Sequence, residues 1–126
     1  MDPEVRDAVV RFARWLRSCA DFPIRVPVYL YPAATLVTRH GARATASFFA
    51  PFDRNVEPYI RVATGDYAEL AARRGRDNAL AAILCSVAHE VIHYRQWVST
   101  GNTHERGVAR RASTMVDAYA QTIDRP

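Results

Sequence analysis

The sequence contains no lysine, so arginine carries every fixed positive side-chain charge. Its 17 arginines exceed the 13 acidic residues, which gives a net charge of +4 and an isoelectric point near 9.5. An arginine-biased genome would produce this composition, and so would a surface for phosphates or acidic partners, since guanidinium binds both anions in a fork geometry. The arginines are scattered and no basic stripe interleaved with aromatic residues occurs, so nucleic-acid binding is not expected.

Cysteines are also scarce, with only Cys19 and Cys85. They form no Cys-x-x-Cys pair, so we assign them no metal, and each lies in an apolar helical pattern typical of a small buried residue. No apolar run is long enough to span a bilayer. The first residues, MDPEVRDAVVRF, lack the apolar segment of a signal peptide. We therefore expect a cytoplasmic protein that contacts no membrane.

The sequence has enough apolar residues for one core. Its 126 residues, 49% of them hydrophobic, predict a single domain over residues 1–126. A first helix is expected to begin at the capping residue Asp2, followed by proline, and to end before Pro23. Alternating segments then predict three strands, at 24–31, 44–52 and 58–64. The last two are expected to pair antiparallel through a short turn, and residues 35–40 fit either a strand or a helical turn.

Helical patterns fill the C-terminal half, at about 66–75, 77–99 and 103–123. Asp66 and Glu69 have the spacing of a capping box for the first of these helices. The second is apolar on nearly every side, which is typical of a buried central helix. The third is expected to turn six side chains toward the core, those of Val108, Ala112, Met115, Val116, Tyr119 and Ile123. The order of elements predicts an α+β domain with a small mixed sheet of three or four strands.

The predicted central helix contains the pattern His-Glu-x-x-His at residues 89–93. Four residues advance a helix by about 400°, so His89 and His93 lie about 40° apart and can converge on one cation. Glu90 lies about 100° from His89, close enough to reach a water at that cation. Two neutral nitrogen ligands beside a proton-accepting carboxylate are the parts of a zinc hydrolase. The alternative, a pair of hydrogen-bonded core histidines with Glu90 at a solvated edge, would need partners for all three groups.

A zinc site that keeps an open position needs a third protein ligand. Glu105 is the preferred candidate because it follows the short turn at 100–102 and begins the predicted last helix. Its second interpretation is a capping box, since Asn102 and Glu105 have N-x-x-E spacing. His104 is the reserve candidate and Asp117 a more distant one.

Several other polar side chains have two interpretations each. Gln96 lies one turn beyond His93 and is expected either to hydrogen-bond a ligand or to make an interhelical contact. His40 is expected in a surface turn. Three tyrosines could stabilise an oxyanion, although a core position is the more common use of such residues: Tyr67, Tyr94 and Tyr119.

The stretches HEVIHYRQW (89–97) and ERGVARRA (105–112) resemble the gluzincin metallopeptidases, especially their small single-domain members, the minigluzincins. The first matches the pattern H-E-x-x-H-x-x-Q, and the second is similar to the E-x-x-x-A glutamate helix. The resemblance implies a zincin-like fold in which His89, His93 and Glu105 hold Zn²⁺ and Glu90 is the general base. It also implies that the edge strand, here 44–52, lies above the site and receives an extended peptide.

The spacing departs from the gluzincin pattern at one point. Only eleven residues separate His93 from Glu105, fewer than in many gluzincins, so Glu105 must reach back or the central helix must end early. The leading functional hypothesis is a zinc-dependent peptidase that acts on a peptide or protein. A zinc-stabilised, non-catalytic module that binds protein or nucleic acid is the alternative. A third hypothesis keeps the hydrolysis but makes it regulatory, directed at one protein such as a repressor.

Overall fold

The computed structural model describes residues 1–123, in which four helices accompany five short strands. The helices are α1 (Pro3–Cys19), α2 (Tyr67–Arg74), α3 (Arg76–Thr100) and α4 (Val108–Ile123). The strands are β1 (Val28–Tyr31), β2 (Leu36–Val37), β3 (Arg43–Ala44), β4 (Ala46–Phe49) and β5 (Tyr59–Ala63). The predicted α+β class is confirmed.

Helix α1 begins as its sequence predicts. The Asp2 carboxylate accepts a hydrogen bond from the Glu4 backbone N–H at 2.8 Å, and Pro3 occupies the first helical position. Four residues at helical spacing are buried: Val5, Val9, Phe12 and Leu16. The prediction that Cys19 is buried is wrong, because the core contact of α1 ends with Leu16 and Cys19 is exposed.

Three strands form a mixed sheet in the order β1-β5-β4. Strand β1 runs parallel to β5, whereas β4 runs antiparallel to β5 and is an edge strand, as predicted. The predicted first strand was too long at its start, since β1 begins only at Val28. Pro27 has no N–H to add to the ladder, although its carbonyl accepts a hydrogen bond from Ile60 N–H at 2.9 Å.

The residues predicted as strand or helical turn at 35–40 contribute β2, which pairs antiparallel with β3 in a separate hairpin. Ala44, predicted in the next strand, belongs to this hairpin instead. An ordered turn joins β2 to β3, with Thr38 N–H donating to the Ala42 carbonyl at 2.8 Å. Arg61 of β5 donates through Nη2 to the Val37 carbonyl at 3.0 Å, which ties the hairpin to the sheet.

Helix α3 lies at the centre of the molecule and contacts α1, α2, α4, β4 and β5. Its C-terminal end is fastened to the loop that follows β4. The Trp97 indole N–H donates to the Pro51 carbonyl at 3.1 Å, and Arg54 donates to the Trp97 carbonyl at 2.8 Å. The Arg54 guanidinium also lies over the indole ring, 4.6 Å from its centroid. These contacts set the position of the edge strand relative to α3.

Three predictions about helix ends are wrong. The Asp66 side chain makes no capping hydrogen bond to α2, so the proposed capping box with Glu69 is absent there. Helix α4 begins at Val108 rather than near residue 103, because residues 101–107 form a loop. Ile123, expected in the core, is 60% exposed since it lies in the final turn, beyond the buried Tyr119. None of the helices within residues 1–123 is both long enough and apolar enough to cross a membrane.

Phe12 and Phe52 provide a direct test of this core. Phe12 is fully buried and packs against Tyr119 with ring centroids 5.1 Å apart, whereas Phe52 is fully exposed. Phe12→Ala should lower the free energy of unfolding by about 3–5 kcal/mol, because it leaves a cavity. The matched control Phe52→Ala should change it by less than about 0.5 kcal/mol. Urea unfolding followed by circular dichroism measures both, and equal effects of the two variants would contradict the packing described.

Candidate metal centre

His89 and His93 lie on adjacent turns of α3, with ring centroids 5.0 Å apart. Both rings turn Nε2 toward the same carboxylate, that of Glu105. The distance is 2.9 Å from His89 Nε2 to Glu105 Oε1 and 2.8 Å from His93 Nε2 to Glu105 Oε2. The structure thus brings together the two histidines of the His-Glu-x-x-His pattern and the preferred third candidate.

Glu105 reaches the histidines from a loop, not from a helix. Helix α3 ends at Thr100 and is followed by Gly101, which adopts a left-handed conformation with φ of 82°, and α4 begins only at Val108. The prediction that Glu105 starts α4 is therefore wrong, and the alternative of an Asn102–Glu105 capping box for that helix is not observed. Because residues 101–107 are not helical, the loop can run back along α3, which places Glu105 beside His89 despite the short spacing.

Gln96 holds this loop against α3 and also fixes the state of one ring. Its Oε1 accepts a hydrogen bond from the His104 backbone N–H at 3.0 Å and lies 3.0 Å from His93 Nδ1. A backbone N–H can only donate, so the amide atom facing it is the oxygen. That oxygen needs a donor on His93 as well, which places the proton of neutral His93 on Nδ1. Of the two predicted uses of Gln96, the bond to a histidine is the one observed.

This arrangement leaves two acceptors in contact. With the proton of His93 on Nδ1, its Nε2 presents a lone pair to the Glu105 carboxylate at 2.8 Å. Such a pair is stabilised by a cation between the two atoms, either an added proton or a metal ion. The candidate ligand atoms of His89, His93 and Glu105 all lie within 4.8 Å of one another, so these residues could hold a metal ion. A tetrahedral ion with bonds of about 2.0–2.1 Å would space its ligands about 3.3 Å apart, which lies within this 4.8 Å limit.

The other two candidate ligands lie outside this group. The ring of His104 has its Nε2 3.4 Å from the Gln96 side-chain nitrogen, away from the Glu105 carboxylate that the two histidines share. Asp117 is exposed on α4. Neither belongs to the group of His89, His93 and Glu105.

The carboxyl groups of Glu90 and Glu105 have different surroundings. Burial raises the pKa of Glu90, the nearby His89 and His93 oppose that shift, and the Glu105 charge adds to it. For Glu105, partial burial would raise the pKa, but the hydrogen bond with His89 and the two imidazoles lower it overall. The exposed Glu105 is thus favoured as an anion, which is the form that binds a metal ion.

Glu90 is buried, with only 7% of its surface exposed. In the part of the chain that the structure describes, it forms neither a hydrogen bond nor an ion pair. It lines a cleft of about 770 Å³ together with His89, His93 and Glu105. A buried carboxylate without a partner costs several kcal/mol, which is typical of a group retained for chemistry.

The cleft lies between α3, the edge strand β4 and the turn of the β2–β3 hairpin. The predicted surface position of His40 in that turn is confirmed, and His40 also lines the cleft. Sequence analysis missed Arg39 and Arg61, which line the cleft as well. No local motif could have indicated them, because the hairpin turn and β5 meet the site only through the tertiary fold.

The three tyrosines occupy the core, as their more common use suggested. The Tyr94 hydroxyl donates to the Ile24 carbonyl at 2.5 Å and accepts from the Ile24 N–H at 3.1 Å. Tyr67 and Tyr119 are buried elsewhere, and none of the three lines the cleft.

No family profile, curated protein or solved structure matches the chain.

Glu105 and His104 are neighbours in sequence, so a variant of each gives a matched test and control for metal binding. We predict that Glu105→Gln weakens Zn²⁺ binding more than about 100-fold, since it removes a charged ligand rather than an outer partner. His104→Ala should keep Zn²⁺ affinity within about threefold of the parent, as its ring contacts none of the ligand atoms. Competition with a chelating dye measures both affinities. The assignment fails if His104→Ala loses the metal and Glu105→Gln retains it.

Gln96 should also affect the metal without touching it. Gln96→Ala frees the His93 ring and the loop that carries Glu105, so we expect Zn²⁺ affinity to fall about 10–100-fold. Ser99→Ala, an exposed change on the same helix, is the control and should have no effect. Nuclear magnetic resonance of the ring nitrogens should show His93 protonated at Nδ1 in the parent. Detection of the other tautomer there would contradict the role given to Gln96.

Proposed function

We propose that this chain is a zinc-dependent peptidase in which Glu90 is the general base. The observation that carries the proposal is the placement of Glu90, buried, without a partner among residues 1–123, and lining one cleft with three candidate metal ligands. A metal that only stabilised the fold would need His89, His93 and Glu105 but would gain nothing from an unpaired carboxylate beside them. The alternative of a non-catalytic binding module leaves the burial of Glu90 without a reason.

The ligand set favours zinc among the common metals. Two imidazole nitrogens and one carboxylate are a donor set that catalytic zinc sites use, with a further position left for water or substrate. When bound, zinc would acidify water and polarise a carbonyl group. The side chain of Gln96 supports this role, because it holds His93 with Nε2 free to bind.

Glu90 would move the protons of the reaction. Its carboxylate accepts the proton of the attacking water and then donates it to the departing amine nitrogen. Burial raises the pKa of Glu90, which makes it a stronger base than an exposed glutamate. The low-dielectric surroundings also strengthen its interaction with a cationic centre.

The edge strand β4 offers a place for an extended peptide. Ala63 N–H donates to the Thr45 carbonyl at 2.7 Å, which marks these residues as a hydrogen-bonded pair of the antiparallel ladder. Alternation along that ladder then turns the backbone groups of Ala46 and Phe48 away from β5 and toward the cleft. Neither residue finds another backbone partner within the described chain. A substrate strand could therefore pair with β4 beside the candidate ligands.

These features together support a zincin of the gluzincin type: a His-Glu-x-x-His helix, a downstream glutamate ligand and an edge strand above the site. The chain differs from the pattern that the resemblance implies in one respect, since Glu105 lies on the loop before α4. The side chain nevertheless reaches both histidines, which is compatible with the proposed ligand set.

Glu90→Gln tests the proposal most directly. The variant should retain Zn²⁺ and the fold while hydrolysis of an unstructured protein falls about 10²–10⁴-fold, the usual effect of removing a general base. Metal analysis, circular dichroism and gel-based proteolysis measure these properties. The variant His89→Ala, which should lose the metal and the activity together, is the control.

The two possible negative results have different meanings. A parent protein that holds zinc but cleaves nothing in a broad set of unstructured proteins would support the binding module instead. Equal hydrolysis by the parent and Glu90→Gln would show that another group accepts the proton.

A further inference from the structure

With a dication in the proposed metal site, the surrounding cleft would carry an excess of positive charge. Arg39 and Arg61 line it, as do Glu90 and Glu105. Within residues 1–123, neither arginine takes part in an ion pair. If a dication occupies the proposed metal site, its two charges offset the two carboxylates, and the two guanidinium charges remain. A ligand that carries negative charge would balance these two charges.

Arg39 is the better placed of the two arginines for contact with a ligand. It is exposed, and its guanidinium lies over the Phe49 ring, 4.8 Å from the centroid. No hydrogen bond to its side chain exists in the described part of the chain. The hairpin turn that carries it is ordered, since Ala42 N–H also donates to Thr38 Oγ1 at 3.2 Å.

Arg61 is partly committed to the fold. Its Nε donates to Ser47 Oγ at 3.2 Å and its Nη2 to the Val37 carbonyl at 3.0 Å. Both partners are neutral, so the charge of Arg61 is not offset. It contributes to the positive potential of the cleft, whereas Arg39 has donors free for direct binding.

A peptide strand added to β4 would present its side chains alternately on the two faces of the sheet. Ala46 and Phe48 face the core beside α3, so side chains opposite them point toward the candidate metal site. Ser47 and Phe49 lie on the other face, next to Arg61 and Arg39 respectively. The peptide side chains opposite Ser47 and Phe49 would therefore lie near the two guanidinium groups.

From this geometry we infer that Arg39 selects substrates with an acidic side chain at a position that faces away from α3. This inference rests on the proposed peptidase function, because it assumes a peptide in the cleft. The preferred substrate class is an extended, acidic segment of a peptide or protein. Glutamate or aspartate there would pair with Arg39 at the cleft rim, while the backbone of the same segment pairs with β4.

Binding can be measured without hydrolysis in the zinc-loaded Glu90→Gln protein. The probes are two fluorescein-labelled peptides of about ten residues, one with glutamate at alternate positions and the other with glutamine in their place. We expect the glutamate peptide to bind about three- to fivefold more tightly at 50 mM salt, the size of a solvent-exposed ion pair. This preference should shrink as salt rises to 0.5 M, because screening weakens exposed pairs.

Arg39→Gln in the same background should remove the preference, and Arg39→Lys should retain part of it. Arg43→Gln is the matched control, since Arg43 is on the same hairpin but does not line the cleft and donates to Thr35 Oγ1. It should leave the preference unchanged. Thermal melting of the metal-free variants checks that Arg39→Gln still folds.

Three results would overturn the inference: equal binding of the two peptides, no binding of either, or a preference that survives Arg39→Gln. Displacement of both peptides by a single-stranded oligonucleotide at equal concentration would contradict the inference and indicate that the positively charged cleft binds nucleic acid instead.

Hydrolysis distinguishes this inference from the proposed function. A parent that cleaves both peptides equally would refute acidic selection and keep the peptidase. A parent that cleaves neither, with the Arg39-dependent preference intact, would refute only the peptidase.

Discussion

The burial of helix α3 is the constraint on which the rest of the structure depends. The helix is apolar on nearly all sides and contacts three helices and two strands, so these elements are arranged to remove it from water. The same burial acts on the polar residues of the segment 89–93, above all on Glu90 and His93. It leaves Glu90 7% exposed and raises the pKa of its carboxyl group, which an exposed helix would not do. The apolar packing thus makes the carboxylate a stronger base, and the stability of the core sustains the cost of holding it there.

The non-helical loop before α4 allows Glu105 to reach His89 and His93 although only eleven residues separate His93 from Glu105. An α4 that began near residue 103 would have kept Glu105 near the end of α3. The chain instead leaves α3 at Gly101 and stays non-helical up to Val108, so one backbone N–H of the loop can bond Gln96. Gln96 thereby links the loop to the His93 ring, and the position of Glu105 depends on a side chain near the C-terminal end of α3. The candidate metal ligands and their supporting hydrogen bonds form one connected unit.

Sequence alone predicted those features that depend on neighbouring residues. The start of α1 at Asp2, the antiparallel pairing of β4 with β5, and the buried helix with His89 and His93 on one face all follow from local spacing. The errors share a different origin. Cys19 and Ile123 fit helical patterns, but whether the end of a helix still meets the core depends on tertiary packing. The Asn102–Glu105 spacing is compatible with a capping box, yet the contact with two histidines and Gln96 determined the conformation of the loop. Arg39 reaches the cleft from the β2–β3 turn and Arg61 from β5, so no single window of sequence could indicate them.

The two main functional hypotheses differ in what they require of the cleft. A module stabilised by a metal ion needs the ligands and Gln96, and its binding surface could lie anywhere. A peptidase needs an unpaired base beside the ligands, free backbone groups on an adjacent strand, and space for a chain between them. In this molecule Glu90, the outward backbone groups of β4 and the 770 Å³ cleft meet at one place. Each of these features is individually unfavourable for a structural site, because a buried lone carboxylate and an open strand edge both lower stability or invite aggregation. Their coincidence around the same three candidate ligands is the reason that we propose hydrolysis rather than a structural role for this site.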